Sequence, residues 1–416
     1  MPTAILMVGN RRSDAPRARE QHFRGRSSSV STSERHLRFL HSTRGWDMIK
    51  VVHVISDTGI GGAGVLLCNL LACADTTRFE IAVVLPRGSL LVPRIHALGF
   101  RTIEIAHGAD HSADLCAIPE LCRVVHAEKP QILHTHSALY ARLTGLFCHV
   151  PVSINTRHCA DMTEHPTLAV RLATGGLERL VGSVTIATAN YVKDVLTARG
   201  VPSNKIHIIH NGSHPLPFLS ENQRSAMRRE LGLAESDFSV GMVARLEDGK
   251  GHETFLRAAK ICAEKAPHIR FVIVGDGARA SSLHGLANDL GIAHRVIFTG
   301  FRQDVARIMN ILHLNVNCSE RSETSSLSLS EGMSVGVVPV VSNCGGNAYM
   351  TGFGENGVLF PVGDAKTLAE SILALERDRD RLSVLSEKCR ARFYDQFTAE
   401  AMTRRVETLY CSLLKK

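Results

Sequence analysis

The sequence predicts an α/β protein made of two Rossmann-like domains that face each other across a cleft. Two observations carry that expectation. From residue 49 onward, short apolar runs alternate with longer amphipathic stretches, the pattern of parallel sheets covered by helices on both faces. The alternation stops once, at residues 211–219, where Gly212, Pro215 and Pro217 cluster as a linker, and then restarts. A length of 416 residues agrees with two domains, and a composition 44% hydrophobic and 21% charged supplies two cores.

In chain order, Met48-Ile49-Lys50 leads into a first buried strand, Ile49–Ser56, followed by a helix over Val65–Ala74. Strand Glu80–Leu85 and helix Leu90–Leu98 come next. Thr102–Ile105, Ile132–Thr135, Val152–Thr156, Val184–Ala187 and Ile206–Ile209 complete the strands of the first half, with helical stretches between most of them. The second half repeats the scheme. Its strands are Ser239–Val243, Arg270–Val274, Val296–Phe298, Leu314–Asn317 and Val337–Val341; its helices are Thr254–Ala263, Ala280–Leu290, Ser326–Ser334 and Ala365–Leu375. A helical stretch, Ala399–Leu414, ends the chain. The expected domains are therefore 48–215 and 216–395, with a terminal helical segment over 396–416.

The net charge of +8 does not mark a nucleic-acid partner, because of where it sits. Residues 1–47 hold nine arginines against four acids, a net +5, and the other 369 residues are nearly balanced at +3. That leading segment is rich in Arg and Ser, with no sustained apolar period and no secretory core. It reads as a disordered basic extension or a start codon placed too far upstream, with the working protein beginning at Met48; an organellar transit peptide is the alternative. No apolar run reaches the roughly 18 residues of a membrane-spanning helix. The eleven cysteines include no Cys-x-x-Cys pair, and Cys68, Cys73 and Cys262 in apolar settings read as buried thiols of a reducing cytosol.

Four constellations carry chemistry. Gly59-Ile60-Gly61-Gly62-Ala63-Gly64 fits G-x-G-x-x-G between a strand and a helix, where glycines admit a ligand and the helix amino terminus favours an anion. A nicotinamide site also wants an acid after the second strand, and here that strand ends Leu85-Pro86-Arg87. Ala244–Gly251 follows a strand of the second sheet, placing Arg245 and Lys250 at the ligand-binding edge, where a guanidinium fork and a mobile ammonium can neutralise a diphosphate without a metal; a solvated basic loop is the alternative. Glu323 and Glu331 enclose seven residues, and an eight-residue step is just over two helical turns, so both face one cleft. Glu331 suits ribose hydroxyls and the amides of Thr324, Ser325 and Ser326 suit phosphate, while capping by Ser322 or Thr324 is the plain structural alternative.

Histidines form the fourth set. His134 and His136 close one strand and His158 follows another, so both positions face the cleft if the sheet is parallel. His-x-His suggests a metal, but no third ligand stands nearby in sequence, and no metal is expected. Two other patterns are set aside. Asp378-Arg379-Asp380 lies in a charged helical run over 376–381, and His252-Glu253 lacks the second histidine of a zinc-protease helix.

Taken in order, these motifs resemble the GT-B fold retaining glycosyltransferases of family 4, also called glycosyltransferases group 1. The resemblance covers residues 48–416. It rests on the Gly61-Gly62 loop, Asn211-Gly212, Arg245 with Lys250-Gly251, Val274-Gly275-Asp276-Gly277, Phe298-Thr299-Gly300, the Glu323/Glu331 pair and Val340–Gly346. It implies that the second domain binds a nucleotide-sugar donor, the first binds the acceptor, and the last helix packs back onto the first. It further implies that Arg245 and Lys250 stabilise the leaving diphosphate, that Glu331 holds the ribose, and that Glu323 and His158 lie at the donor sugar. Thr324, Ser325 and Ser326 would offer amides to the phosphates, and Gly61, Gly62 and His136 would line the acceptor side. Glu323-Thr324-Ser325 and Glu331-Gly332-Met333 depart from the family's usual Glu-Gly-Phe and Glu-Ala-Met, so the sugar pocket and the donor stay open.

The expected reaction is transfer of a sugar from a UDP- or GDP-linked donor to a hydroxyl with retained configuration, by a cytosolic enzyme of envelope, exopolysaccharide or glycolipid synthesis with no cofactor. A nicotinamide-dependent epimerase and a non-catalytic sugar-binding relative are the alternatives. From the family comes a further expectation of a lipid-linked or glycan acceptor and peripheral membrane contact at the inner face. The amphipathic stretch Leu168–Val181, with Arg171 and Arg179, suits that contact, although packing on its own sheet is the commoner use of such a helix.

Overall fold

The computed structural model describes residues 48–158, 166–321 and 323–415; the extension read over 1–47 lies outside them. Seven parallel strands form the first sheet: β1 (Ile49–Ile55), β2 (Phe79–Pro86), β3 (Arg101–Ile105), β4 (Ile132–His136), β5 (Val152–Arg157), β6 (Val184–Ala187) and β7 (Ile206–Ile208). Six form the second: β8 (Phe238–Val243), β9 (Ile269–Val274), β10 (Val296–Phe298), β11 (Leu314–Asn317), β12 (Val338–Ser342) and β13 (Val358–Phe360). The first sheet runs β3-β2-β1-β4-β5-β6-β7 and the second β10-β9-β8-β11-β12-β13. Both orders reverse direction beside their own first strand, so each sheet opens a crevice at its carboxyl edge, between β1 and β4 and between β8 and β11.

Residue type explains the central strands. β1 reads Ile-Lys-Val-Val-His-Val-Ile, and from Val51 onward every residue is buried, as a strand covered by helices on both faces requires. Helix Gly62–Ala72 covers one face through Leu66, Leu67, Leu70 and Leu71, all buried. Each such side chain contributes roughly 1.5–3 kcal/mol on leaving water.

The sequence reading offers no strand at β13, an edge strand of three residues between Gly357 and Pro361 that pairs with β12. The charged run over 376–381 is not one helix. Asp378 leaves helical geometry after helix Ala365–Arg377 and caps helix Arg379–Gln396, its carboxylate accepting from Arg381 N at 2.9 Å. Asp378-Arg379-Asp380 thus marks a helix junction. Cys262 is buried, whereas Cys68 and Cys73 are half-buried, and no disulfide occurs among the described residues.

The chain crosses between the two sheets twice, and the crossings touch. Ser213 N donates to Phe397 O at 2.9 Å, and Ala399 N donates to Ser213 O at 2.9 Å. A Cβ at position 212 would lie 2.4 Å from Thr398 O, so only glycine lets the strands pass this closely. Beyond the crossing, helix Ala399–Leu414 lays Met402, Val406, Leu409 and Tyr410 into the core under the first sheet, against Val51, Ile132 and Ile154.

Helix Leu168–Val181 turns Gly175, Glu178 and Val181 inward, with Glu178 paired to buried Arg142 and Ser183 completing the arginine's bonds. Its apolar residues do not all face the sheet: Leu168, Leu172 and Leu180 are 69%, 67% and 64% exposed. No helix among the described residues is long and apolar enough to cross a membrane.

Candidate active site in the interdomain cleft

The two crevices face a shared cavity of about 640 Å³, lined from the first domain by Gly61, Gly62 and His158 and from the second by Arg245, Lys250, Glu323, Thr324, Ser325 and Ser326. Its walls follow from the strands. β1 delivers the loop to Gly61, β5 delivers His158, β8 delivers Ala244–Gly251, and β11 delivers residues 318–321 and 323–326.

The β8 loop is held by backbone. Ala244 N donates to Val274 O and Leu246 N to Asp276 O, both at 3.0 Å, so the Val274–Gly277 run acts as its brace. The Arg245 side chain is 74% exposed and, among the described residues, pairs with Glu247 at 2.8 Å. An exposed pair of this kind is worth at most about 1 kcal/mol, so it yields readily to a more highly charged partner. Lys250 sits deeper and donates to Glu323 Oε2 at 3.2 Å. The same oxygen accepts from Ser319 Oγ at 2.7 Å and Asn317 Nδ2 at 3.3 Å, which fixes a buried carboxylate by three donors.

The segment Glu323–Glu331 differs from the helical reading. Helix Leu327–Ser334 begins only after Ser326, which is its cap and accepts from Leu329 N at 3.4 Å. Half of the interval is therefore loop, and two helical turns do not relate the glutamates. Glu323 lines the cavity; Glu331 lies outside its lining. The amides without intrahelical partners that open this helix are those of Leu327 and Ser328, one step beyond the residues expected.

The loop is clamped from behind. Gly346 N donates to Glu323 O at 2.8 Å, and a Cβ at position 346 would come within 1.7 Å of Thr324 O. That close approach is the physical reason for the Cys344-Gly345-Gly346 motif, whose role was not legible in sequence. From the front, Thr324 Oγ1 donates to His158 O at 3.1 Å and Asn211 Nδ2 to Ser325 O at 3.4 Å, tying the loop to the first domain and the linker. Gly62 contrasts with Gly346. A Cβ there would meet no atom within 4 Å, so the missing side chain leaves room in the cavity and is not demanded by packing.

His136 is not in a loop lining the cleft. It is buried on β4 beneath His158, its Nδ1 2.9 Å from His158 Nε2. A further histidine escaped the sequence reading: His53, in the middle of β1, sits 3.1 Å from His136 Nε2 through its Nδ1. The signal was present, since a histidine inside a Val/Ile strand is itself an anomaly. His53 also corrects the argument that His-x-His lacks a third ligand, because nitrogens of His53, His134 and His136 lie within 4.8 Å of one another. Their nitrogens are engaged, however. His53 and His136 bond each other, and His134 bonds Tyr410 and Thr156. Burial lowers His53 to about 3 and His158 to about 4, and drives His134 and His136 well below their ordinary value, so all four rings are neutral near pH 7.

Burial pushes Glu331 up to about 7. Because the folded value exceeds the unfolded one, its contribution to stability is complete below about pH 4.5 and is lost as pH rises through 7, by at most about 3 kcal/mol. Glu331→Gln removes this titration. Thermal unfolding followed from pH 5 to 8 is expected to show the variant gaining on the wild type as pH rises; a constant difference contradicts the assignment.

Comparison with known proteins agrees with this geometry. Residues 223–392 match the family described as Glycosyl transferases group 1, and residues 60–215 match Glycosyltransferase Family 4. N-acetyl-alpha-D-glucosaminyl L-malate synthase of Bacillus anthracis is 25% identical over 73% of this chain and 80% of its own length. The UDP-Gal:alpha-D-GlcNAc-diphosphoundecaprenol alpha-1,3-galactosyltransferase of Escherichia coli is 26% identical over 72% of this chain and 80% of its own. The crystal structure of HepE from Anabaena in complex with UDP superposes with a TM-score of 0.76 at 20% identity, covering 88% of this chain and all of that one. With both halves matched and the two-sheet architecture shared, the chain belongs to the group 1 glycosyltransferases of the GT-B fold.

Proposed function

We propose that this glycosyltransferase moves a sugar from a UDP- or GDP-linked donor to a hydroxyl acceptor, with retention of anomeric configuration, in the synthesis of an envelope polysaccharide or glycolipid. The observation that carries the reading is the pair of cations on one cavity wall, Arg245 and Lys250, each resting on a carboxylate that a diphosphate can replace. The relatives support the donor class: the Escherichia coli enzyme is named for UDP-Gal, and HepE was solved with UDP and with UDP-glucose.

In this reading the anomeric carbon–oxygen bond breaks as the acceptor oxygen bonds the same carbon from the same face. Negative charge builds on the departing diphosphate, where Arg245, Lys250 and the amides of Leu327 and Ser328 receive it. These groups neutralise it without a metal. The acceptor's proton passes to the departing phosphate oxygen, since His158 is neutral and held too far below pH 7 to retain one. Once phosphate occupies Lys250, Glu323, still held by Ser319 and Asn317, is left facing the sugar. Glu331, outside the cavity lining but one helical turn beyond Ser328 of its wall, takes ribose hydroxyls that extend along the helix, which favours its ionised form. A nicotinamide-dependent reaction is disfavoured by Leu85-Pro86-Arg87, which brings no acid to the end of β2.

Arg245→Ala tests the charge argument. It is expected to lower kcat/KM about 100- to 1000-fold with UDP- and GDP-sugars, by the usual worth of one preorganised charge-stabilising group. The melting temperature should not change, because the side chain is largely exposed. Near-normal turnover sinks the assignment.

The acceptor is proposed to be glycan- or lipid-linked and reached at a membrane surface. Exposed Leu168, Leu172 and Leu180, with Arg171 on the same helix, support contact with an anionic bilayer. Leu172→Glu should reduce co-sedimentation with vesicles containing phosphatidylglycerol; unchanged sedimentation contradicts the contact.

A further inference from the structure

Strand alternation gathers an unusual set of side chains on one face of the first sheet. His53 on β1 is the register partner of His134 on β4, and His136 is the partner of Thr156 on β5. His134 and His136 are two apart, as are Thr156 and His158, so all five point to the face covered by the terminal helix. That helix brings Tyr410 to them. The hydrogen bonds run in series: His158 Nε2 to His136 Nδ1 at 2.9 Å, and His136 Nε2 to His53 Nδ1 at 3.1 Å. The series continues from His53 Nε2 to the Tyr410 hydroxyl at 3.4 Å, from that hydroxyl to His134 Nδ1 at 2.5 Å, and from His134 Nε2 to Thr156 Oγ1 at 2.7 Å.

A neutral imidazole has one N–H and one lone pair, so every link in such a series must point the same way. The direction is decided at Tyr410. A phenol donates better than it accepts, and its short contact is with His134 while its long one is with His53. Burial keeps the phenol protonated and the rings neutral. Tyr410 O–H therefore donates to His134 Nδ1, and His134 Nε2–H donates to Thr156. His53 Nε2–H donates to the phenol oxygen, His136 Nε2–H to His53, and His158 Nε2–H to His136. The series ends at His158 Nδ1, a shielded nitrogen with no hydrogen-bond partner among the described residues, on a side chain that lines the cavity.

We propose that Tyr410, His53 and His136 are positioning residues that fix His158 as its Nε2–H tautomer, so that Nδ1 offers a lone pair to a hydroxyl of the bound sugar. A lone pair repels a phosphate or carboxylate oxygen and accepts from an O–H, so the group seated against His158 is a hydroxyl. This rests on the proposed sugar-nucleotide reading for its ligand, but not for its geometry. It also gives the terminal helix a part in the site: a residue near the end of the chain sets the hydrogen-bonding character of one in the cleft.

The test is long-range proton–nitrogen NMR of the full-length protein with nitrogen-labelled histidine, the His158 signals being assigned by their loss in His158→Gln. The expected wild-type pattern is that of the neutral Nε2–H tautomer, unchanged from pH 6 to 8. Tyr410→Phe keeps the ring but removes the hydroxyl. It should move the His158 nitrogen shifts toward a mixture of tautomers, although the mutated atom is three hydrogen bonds away; a packing role alone would disturb only His53 and His134. An Nδ1–H tautomer at His158, titration of His158 within that range, or unchanged His158 shifts in a folded Tyr410→Phe each overturns the proposal. If Tyr410→Phe does not fold, the wild-type tautomer decides. Because the measurement needs no substrate, its failure is distinct from a failure to transfer sugar.

Discussion

A parallel strand can hand its chain to a ligand only at its carboxyl end, and the strand order decides where two such ends diverge enough to leave a crevice. The rest of the molecule depends on that constraint being met twice. In the first sheet the divergence lies between β1 and β4; in the second it lies between β8 and β11. The double crossing at Ser213 and Phe397–Ala399 joins the halves so that the two crevices line one cavity. The terminal helix then closes the core of the first domain with residues contributed after the second is complete.

Within the cavity the dominant problem is charge. Two cations on one wall, the pair proposed to take a diphosphate, repel each other and attract any carboxylate within reach. Here each is matched to one of its own: Arg245 to Glu247 on the surface, Lys250 to Glu323 in a buried setting. The difference in burial gives them different parts. The exposed pair costs little to break, which suits the proposed transfer of the guanidinium to phosphate. The buried carboxylate is held by Ser319 and Asn317 as well, so it remains oriented when its lysine turns away. The glycine clamp at Gly346 keeps the backbone of that loop in place during the exchange.

Sequence carried the architecture because it depends on apolar periodicity, which is local. The strands were legible to within a residue or two, except Val358–Phe360, an edge strand set between Gly357 and Pro361 that reads as a turn. The site was legible only in part. Arg245 and Lys250 follow a strand at its carboxyl end, so topology alone places them at the cavity. Helix Leu327–Ser334 starts one residue beyond the expected Ser326, whose hydroxyl caps it; Thr324, a credible cap in sequence, donates to His158 O instead. His136 stands at a strand end, but register pairs it with Thr156, two residues short of His158 on the same face, and so buries it beneath that ring. His53 and Tyr410 were invisible as partners, being joined to the histidines by register and by a helix from the far end of the chain.

In the proposed reaction Arg245 and Lys250 exchange their carboxylates for a diphosphate. Titration calorimetry at fixed ionic strength, comparing UDP with UMP and GDP with GMP, addresses it most directly. For the cognate base the diphosphate is expected to bind at least about tenfold more tightly, a difference of about 1.4 kcal/mol, and Lys250→Met to abolish the advantage. Equal affinity for the mono- and diphosphate, or an advantage that survives Lys250→Met, would contradict it.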